Sequence, residues 1–138
     1  MGCGEMMKCV VILDTSALFI VAENLATLDS IYETTSECEV AVIRNVVEEL
    51  ENIAKRGHGR KALLAEWILQ NLIPKFKVLD TGFQGRADDA ILDYACELMK
   101  RGMRSIVVTS DGKVKERALR KGIEIIVYRE SEKVFEIL

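Results

Sequence analysis

The hydrophobic pattern changes period several times along this chain. Residues 9–13, Cys-Val-Val-Ile-Leu, are continuously apolar and rich in β-branched side chains, as in a strand covered on both faces. Further short strands are expected at 40–43, 76–79, 105–109 and 123–128. Between them, apolar positions return every three or four residues. This spacing predicts helices from Ser16, within 24–37, and over 45–57, 61–73, 87–102 and 112–122. Gly57 and Gly102 close two of these helices, and Pro74 follows a third. Strands alternating with helices predict an α/β protein: a central parallel sheet of about five strands between two helical layers, joined by right-handed crossovers.

Two of the strands end alike. VVILDTSALF (10–19) runs from apolar residues into Asp14, followed by Thr15 and Ser16, and IVVTSDGKV (106–114) runs through Thr109 and Ser110 into Asp111. Ligands of open α/β sheets bind at strand carboxyl ends, where the strand order reverses. Each aspartate also has a plainer role as a helix N-cap.

Two helices carry further acids whose direction can be read at about 100° per residue. Val46, Val47, Leu50, Ile53 and Ala54 form one apolar face. Glu48 points nearly opposite it, and Asn45-x-x-Glu48 has the spacing of a capping box. Glu49 falls on the border of that face, where a carboxylate loses hydration unless something pairs with it. In the later helix, Ala87, Ile91, Tyr94, Ala95 and Leu98 mark the apolar face. Asp89 and Asp93 point away from it. Asp88 lies in its margin, where it can also complement the helix dipole.

Asp14, Glu49, Asp88 and Asp111 thus come from four elements, all at strand carboxyl ends or in the first turns of the following helices. If they converge, they repel one another unless a cation joins them. Mg²⁺ or Mn²⁺ suits such a set, because both prefer carboxylate and water oxygens and bind readily beside phosphates. Such ions hydrolyse phosphodiesters without a histidine base, and this chain has a single histidine, His58.

Composition narrows the reading. The 138 residues carry one proline and show no linker or repeat, so residues 1–138 are expected to form one domain, with 1–8 a loose N-terminal extension. No apolar stretch approaches the roughly 20 residues of a membrane span. The start, MGCGEMMKC, lacks a signal-peptide core and a myristoylation serine or threonine. Cys3, Cys9, Cys38 and Cys96 include no CxxC pair, so free thiols in a reducing cytoplasm are expected rather than a zinc site. The net charge of −3 does not advertise a nucleic-acid binder, so any RNA contact must rest on local patches. KRGHGRK (55–61) offers Lys55, Arg56, Arg60 and Lys61 to phosphates. The run Lys113–Lys121 reads more simply as solvated helix charge. Trp67 reads as core or subunit interface.

VVILDTSALF, NVVEELENIA, ADDAILDYA and VVTSD, in that order, resemble the four acidic motifs of the PIN-domain family over roughly residues 9–128. The resemblance implies a metal-dependent endoribonuclease with strand order 3-2-1-4-5, which places the switch point between Asp14 and Asp111. It implies catalytic and metal-binding roles for Asp14, Glu49, Asp88 and Asp111. Beside them, Asp89 could act through a metal-bound water, and Ser16 and Thr109 could hold a phosphate or a carboxylate. The segment 46–69 resembles stand-alone archaeal PIN proteins related to small-subunit rRNA-processing nucleases, which points to RNA processing. A toxin of the VapC kind, with an antitoxin partner, has the same chemistry. A non-catalytic PIN scaffold is the third reading. Small PIN proteins often pair, so a homodimer is expected.

Overall fold

The computed structural model describes residues 9–138; the expected extension over 1–8, with Cys3, lies outside them. The elements are β1 (Cys9–Leu13), α1 (Thr15–Ala22), α2 (Asp29–Thr34), β2 (Glu39–Ile43), α3 (Arg44–Arg56), α4 (Gly59–Asn71), β3 (Lys77–Leu79), α5 (Ala87–Lys100), β4 (Arg104–Thr109), α6 (Gly112–Arg120), β5 (Glu124–Arg129) and β6 (Val134–Ile137). The six strands form one sheet in the order β3-β2-β1-β4-β5-β6. The first five are mutually parallel, and β6 runs antiparallel to β5.

The continuous apolar runs explain the centre of the sheet. Val11, Ile12 and Leu13 in β1 and Ile106, Val107 and Val108 in β4 are all fully buried. Successive strand residues face opposite sides, so burial at every position means that both faces are covered by helices. Truncating Ile12 to Ala would cost about 2–5 kcal/mol through lost contacts and the cavity left behind. The helical faces behave likewise: Val46 and Leu50 of α3 and Ile91, Ala95 and Leu98 of α5 are buried.

The order 3-2-1-4-5 that the family resemblance implies is present, with a sixth strand added. β6 closes a tight hairpin in which the Lys133 amide donates to the Arg129 carbonyl at 2.7 Å. Its antiparallel pairing makes the sheet mixed rather than wholly parallel.

Three expectations need correction. The helix foreseen within 24–37 is only Asp29–Thr34. Cys9 and Cys38 are not free thiols but form a disulfide, with Cα atoms 4.6 Å apart. The cause is register: β1 pairs with β2 so that Val10 opposes Glu39, which brings the residues just before them together. Among the described residues Cys96 is the free cysteine. Trp67 is 45% exposed and so is not core. No helix among the described residues is long and apolar enough to cross a membrane.

Candidate active site

β1 and β4 lie side by side, and the chain leaves the sheet in opposite directions on either side of that seam. The Asp14 amide donates to the Val108 carbonyl at 2.9 Å, extending the pairing one residue beyond β1. This sets Asp14 beside Thr109. Asp14, Glu49, Asp88 and Asp111 line one cleft of about 690 Å³, with Thr15, Ser16, Phe19, Asn45, Lys61 and Arg86 among the other lining residues.

Asp14 is the most buried of the four, only 5% exposed. Its Oδ1 accepts from the Thr15 amide at 2.8 Å, while Oδ2 accepts from the hydroxyls of Ser16 at 2.9 Å and Thr109 at 2.8 Å. Ser16 Oγ in turn accepts from the Ser110 amide at 2.9 Å, and Thr109 Oγ1 accepts from the Asp111 amide at 3.0 Å. Ser16 and Thr109 therefore act on the carboxylate, the second of the two roles the sequence left open. Burial pushes the Asp14 carboxyl above its ordinary value. Hydrogen bonds from Thr109, Ser16 and Thr15 oppose that rise, and the Glu49 charge adds to it.

Glu49 is exposed to the cleft. Its Oε1 accepts from the Thr15 hydroxyl at 2.5 Å. Asp111 caps α6, with Oδ1 accepting from the amides of Lys113 at 2.8 Å and Val114 at 3.3 Å. Asp14 likewise caps α1. Capping and lining the cleft are thus not alternatives: Asp111 uses one oxygen for the helix and keeps the other for solvent. No basic side chain among the described residues lies within ion-pair distance of Asp14, Glu49 or Asp111.

Asp88 differs. Arg86 Nε lies 3.4 Å from its Oδ1, and Arg117 Nη1 lies 3.7 Å from its Oδ2. Arg117 Nη2 also meets Asp89 at 2.7 Å, which holds Asp89 outside the cleft lining. Among the described residues, no three His, Cys, Asp or Glu side chains stand close enough to ligate one ion together. The donors still suit a hard, hydrated cation. They are carboxylate and hydroxyl oxygens, three of the four acids have no cationic partner, and Mg²⁺ usually keeps several waters and takes only one or two carboxylates.

Several neighbours depart from the sequence reading. Glu48 is exposed, as its place opposite the apolar face requires, yet it also borders the same cleft. The capping box does not form, because α3 begins at Arg44 with Ile43 as its N-cap and no side-chain cap bond. Asn45 instead donates from Nδ2 to the carbonyls of Phe83 and Gly85, both at 3.1 Å. It thereby ties the loop that delivers Asp88 to the helix that carries Glu49. Gly85 has φ +96°, a conformation that favours glycine. Sequence reasoning missed Asn45, Thr15 and Arg86. Thr15 adjoins the first acid, but nothing in the sequence gave its direction. Of the four basic residues at 55–61, Lys61 alone lines the cleft. Lys55 and Arg56 lie in the last turn of α3, and Arg60 sits 3.8 Å from Glu23.

Comparison with known proteins accords with this geometry. The profile of the family described as "PIN like domain" matches residues 11–131, and the chain belongs to that family. It is 31% identical to ribonuclease VapC4 of Methanocaldococcus jannaschii over 130 residues, which are 92% of this chain and 95% of that one. Identity to ribonuclease VapC9 of Archaeoglobus fulgidus is 25%, over 97% and 93% of the two chains. The fold superposes on the PIN domain endonuclease Utp24 with a TM-score of 0.69 at 22% identity, covering 93% of this chain and 90% of that one. A DNA-bound VapBC complex from Salmonella typhimurium gives a TM-score of 0.53 at 18% identity, covering 88% and 98%.

Proposed function

We propose that this protein is a divalent-metal-dependent endoribonuclease that hydrolyses RNA phosphodiester bonds in the cytoplasm, acting in RNA processing. The observation that carries the reading is one cleft lined by Asp14, Glu49, Asp88 and Asp111, three of which have no cationic partner. Asp14, Glu49 and Asp111 would hold Mg²⁺ or Mn²⁺ directly or through water, with Asp88 completing the set when its arginine contacts yield. A bound ion supplies polarisation of the phosphodiester and lowers the pKa of nearby water. The chain's own residues do the rest. Thr15, Ser16 and Thr109 fix the two central carboxylates, Asn45 fixes the approach of Asp88, and Lys61 offers a cation to substrate phosphate.

A second reading shares this chemistry: a VapC-type toxin ribonuclease held by an antitoxin. The likeness to two proteins named VapC over most of their length favours it. A small antitoxin that co-purifies and blocks cleavage would select it. A non-catalytic scaffold is weakened by the presence of all four acids. We also propose a homodimer through α4, where Leu63 and Trp67 stand one turn apart, 70% and 45% exposed.

The test of function is incubation of structured and unstructured RNAs with the protein in Mn²⁺, Mg²⁺ or EDTA. Internal cleavage in either metal and none in EDTA is expected. RNA left intact under every condition would overturn the enzyme reading.

A further inference from the structure

The cleft is much larger than the acids need. A hydrated ion would fill only part of the roughly 690 Å³ that is open. Its far wall has a different chemistry. On α1, Phe19 lies one turn beyond Ser16 and so faces the same way. On α3, Asn52 and Ile53 lie one turn beyond Glu49. These three residues and Lys61 of α4 line the same cleft as the acids. The Lys61 ammonium sits 5.7 Å from the centroid of the Phe19 ring, a cation–π contact at an exposed site and therefore easily exchanged. The Asn52 carboxamide is exposed and makes no hydrogen bond among the described residues. Phe19 itself is half-buried and packed against the core on one side, so its ring is fixed while it borders the cleft.

We propose that Phe19, Asn52 and Lys61 form a nucleobase subsite beside the scissile phosphate, taking one unpaired base of single-stranded RNA. The base stacks on the Phe19 ring, in the place the Lys61 ammonium covers. The ammonium moves from the ring to the phosphate of the same nucleotide, exchanging a weak π contact for a charge-assisted one. The Asn52 amide, both donor and acceptor, meets the base edge. Paired bases cannot enter, because their faces are occupied within the duplex and only splayed bases reach an aromatic platform. The subsite thus makes single-strandedness a requirement of the cleft. This inference rests on the ribonuclease reading.

The test measures binding of a short unstructured RNA to the full chain carrying Glu49→Gln, in Mg²⁺, so that the RNA stays intact. Adding Phe19→Leu should weaken binding by about 5- to 150-fold, the range that stacking of one base spans. Phe19→Tyr, which keeps the ring, should bind as its parent does. An abasic nucleotide, scanned along the RNA, should weaken the parent at one position and have no effect there in the Phe19→Leu protein. Lys61→Met should lower the slope of log affinity against log salt by roughly 0.7. The Mg²⁺-dependent rise in Tm, compared between wild type and Phe19→Leu without Glu49→Gln, should be unchanged. Unchanged RNA affinity in Phe19→Leu, or equal abasic losses in both proteins, overturns the subsite. Should Phe19→Leu not fold, an abasic scan of the parent that finds no sensitive position, or an unaltered salt slope in Lys61→Met, overturns it as well. Failure of the wild type to cut any RNA would instead sink the ribonuclease reading.

Discussion

Thr15 Oγ1 donates to Glu49 Oε1 across 2.5 Å, although 34 positions separate the two residues. The same threonine gives its amide to Asp14. One residue therefore sets the distance between two carboxylates on different elements, and does so with neutral donors that leave both charges in place. Groups that orient metal ligands in this way typically matter by about 10- to 100-fold in affinity. Thr15→Val should weaken Mn²⁺ affinity by about tenfold or more, and Thr15→Ser, which keeps the hydroxyl, should restore most of it. Calorimetric titration of Mn²⁺ checks this. Equal affinities in Thr15→Val and wild type would mean that Glu49 needs no such hold.

Asp14 predicts a dependence of stability on pH. Its folded-state pKa is raised, chiefly by burial. The folded protein therefore holds the proton more tightly than the unfolded chain. The associated stability is fully present below the unfolded value, near 3.8, and is lost as pH rises through the raised folded value. In EDTA, the Tm of wild type should fall relative to Asp14→Asn across that window. At neutral pH, Mn²⁺ should raise Tm in wild type far more than in the variant, since only the wild type gains an ion beside a buried charge. Glu124 has the opposite sign. Its carboxyl is lowered by the hydrogen bond from Arg104, so its contribution is present above the unfolded value and lost as pH falls, but it is half-exposed and small. Parallel pH curves for Asp14→Asn and wild type would refute the account of Asp14 as a buried carboxylate.

The disulfide joins cysteines 29 positions apart across the β1–β2 pair. In the chain-entropy picture a loop of that size stabilises by about 3–4 kcal/mol, equivalent to roughly 10 °C in Tm for a domain of this size. Cys38→Ser should lower Tm by that order without changing Mn²⁺ affinity, because the bond lies at the opposite ends of the strands from the acids. A thiol titration of the unfolded, unreduced protein that finds Cys9 and Cys38 free would remove the basis of this prediction.

Much of the fold was legible from the sequence because hydrophobic runs and helical periodicity report burial directly. β1 reads as a doubly covered strand and is one. β6 went unread although Val134–Ile137 is as apolar as the run at 76–79; what its pattern does not carry is that the chain turns back through Glu130–Lys133 and pairs antiparallel with β5. The acids of the cleft were legible as positions on strand ends and helix wheels. What holds them was not. The Asn45-x-x-Glu48 spacing suggested a capping role by assuming that α3 starts after Asn45, yet the helix starts two residues earlier than that and the side chain turns to the loop at 83–85. The wheel set Glu48 opposite the apolar face, and it is exposed there, but direction from the core does not report the extent of the cleft, which Glu48 borders as well. The cysteine pairing depends on strand register, which no local pattern encodes.

The central claim is that Glu49 acts with the other acids on RNA while Glu48, beside it in the same cleft, does not. Glu49 is held by Thr15; Glu48 has no hydrogen-bond partner among the described residues. The decisive measurement is the single-turnover rate of cleavage of an unstructured RNA in Mn²⁺ by wild type, Glu49→Gln and Glu48→Gln under identical conditions. Glu49→Gln should lose about two orders of magnitude or more, the scale on which metal and electrostatic contributions to catalysis fall, and Glu48→Gln should stay within about threefold of wild type, a loss of under 1 kcal/mol. Equal losses in the two variants, or a Glu49→Gln protein that cuts as fast as wild type, would contradict the account.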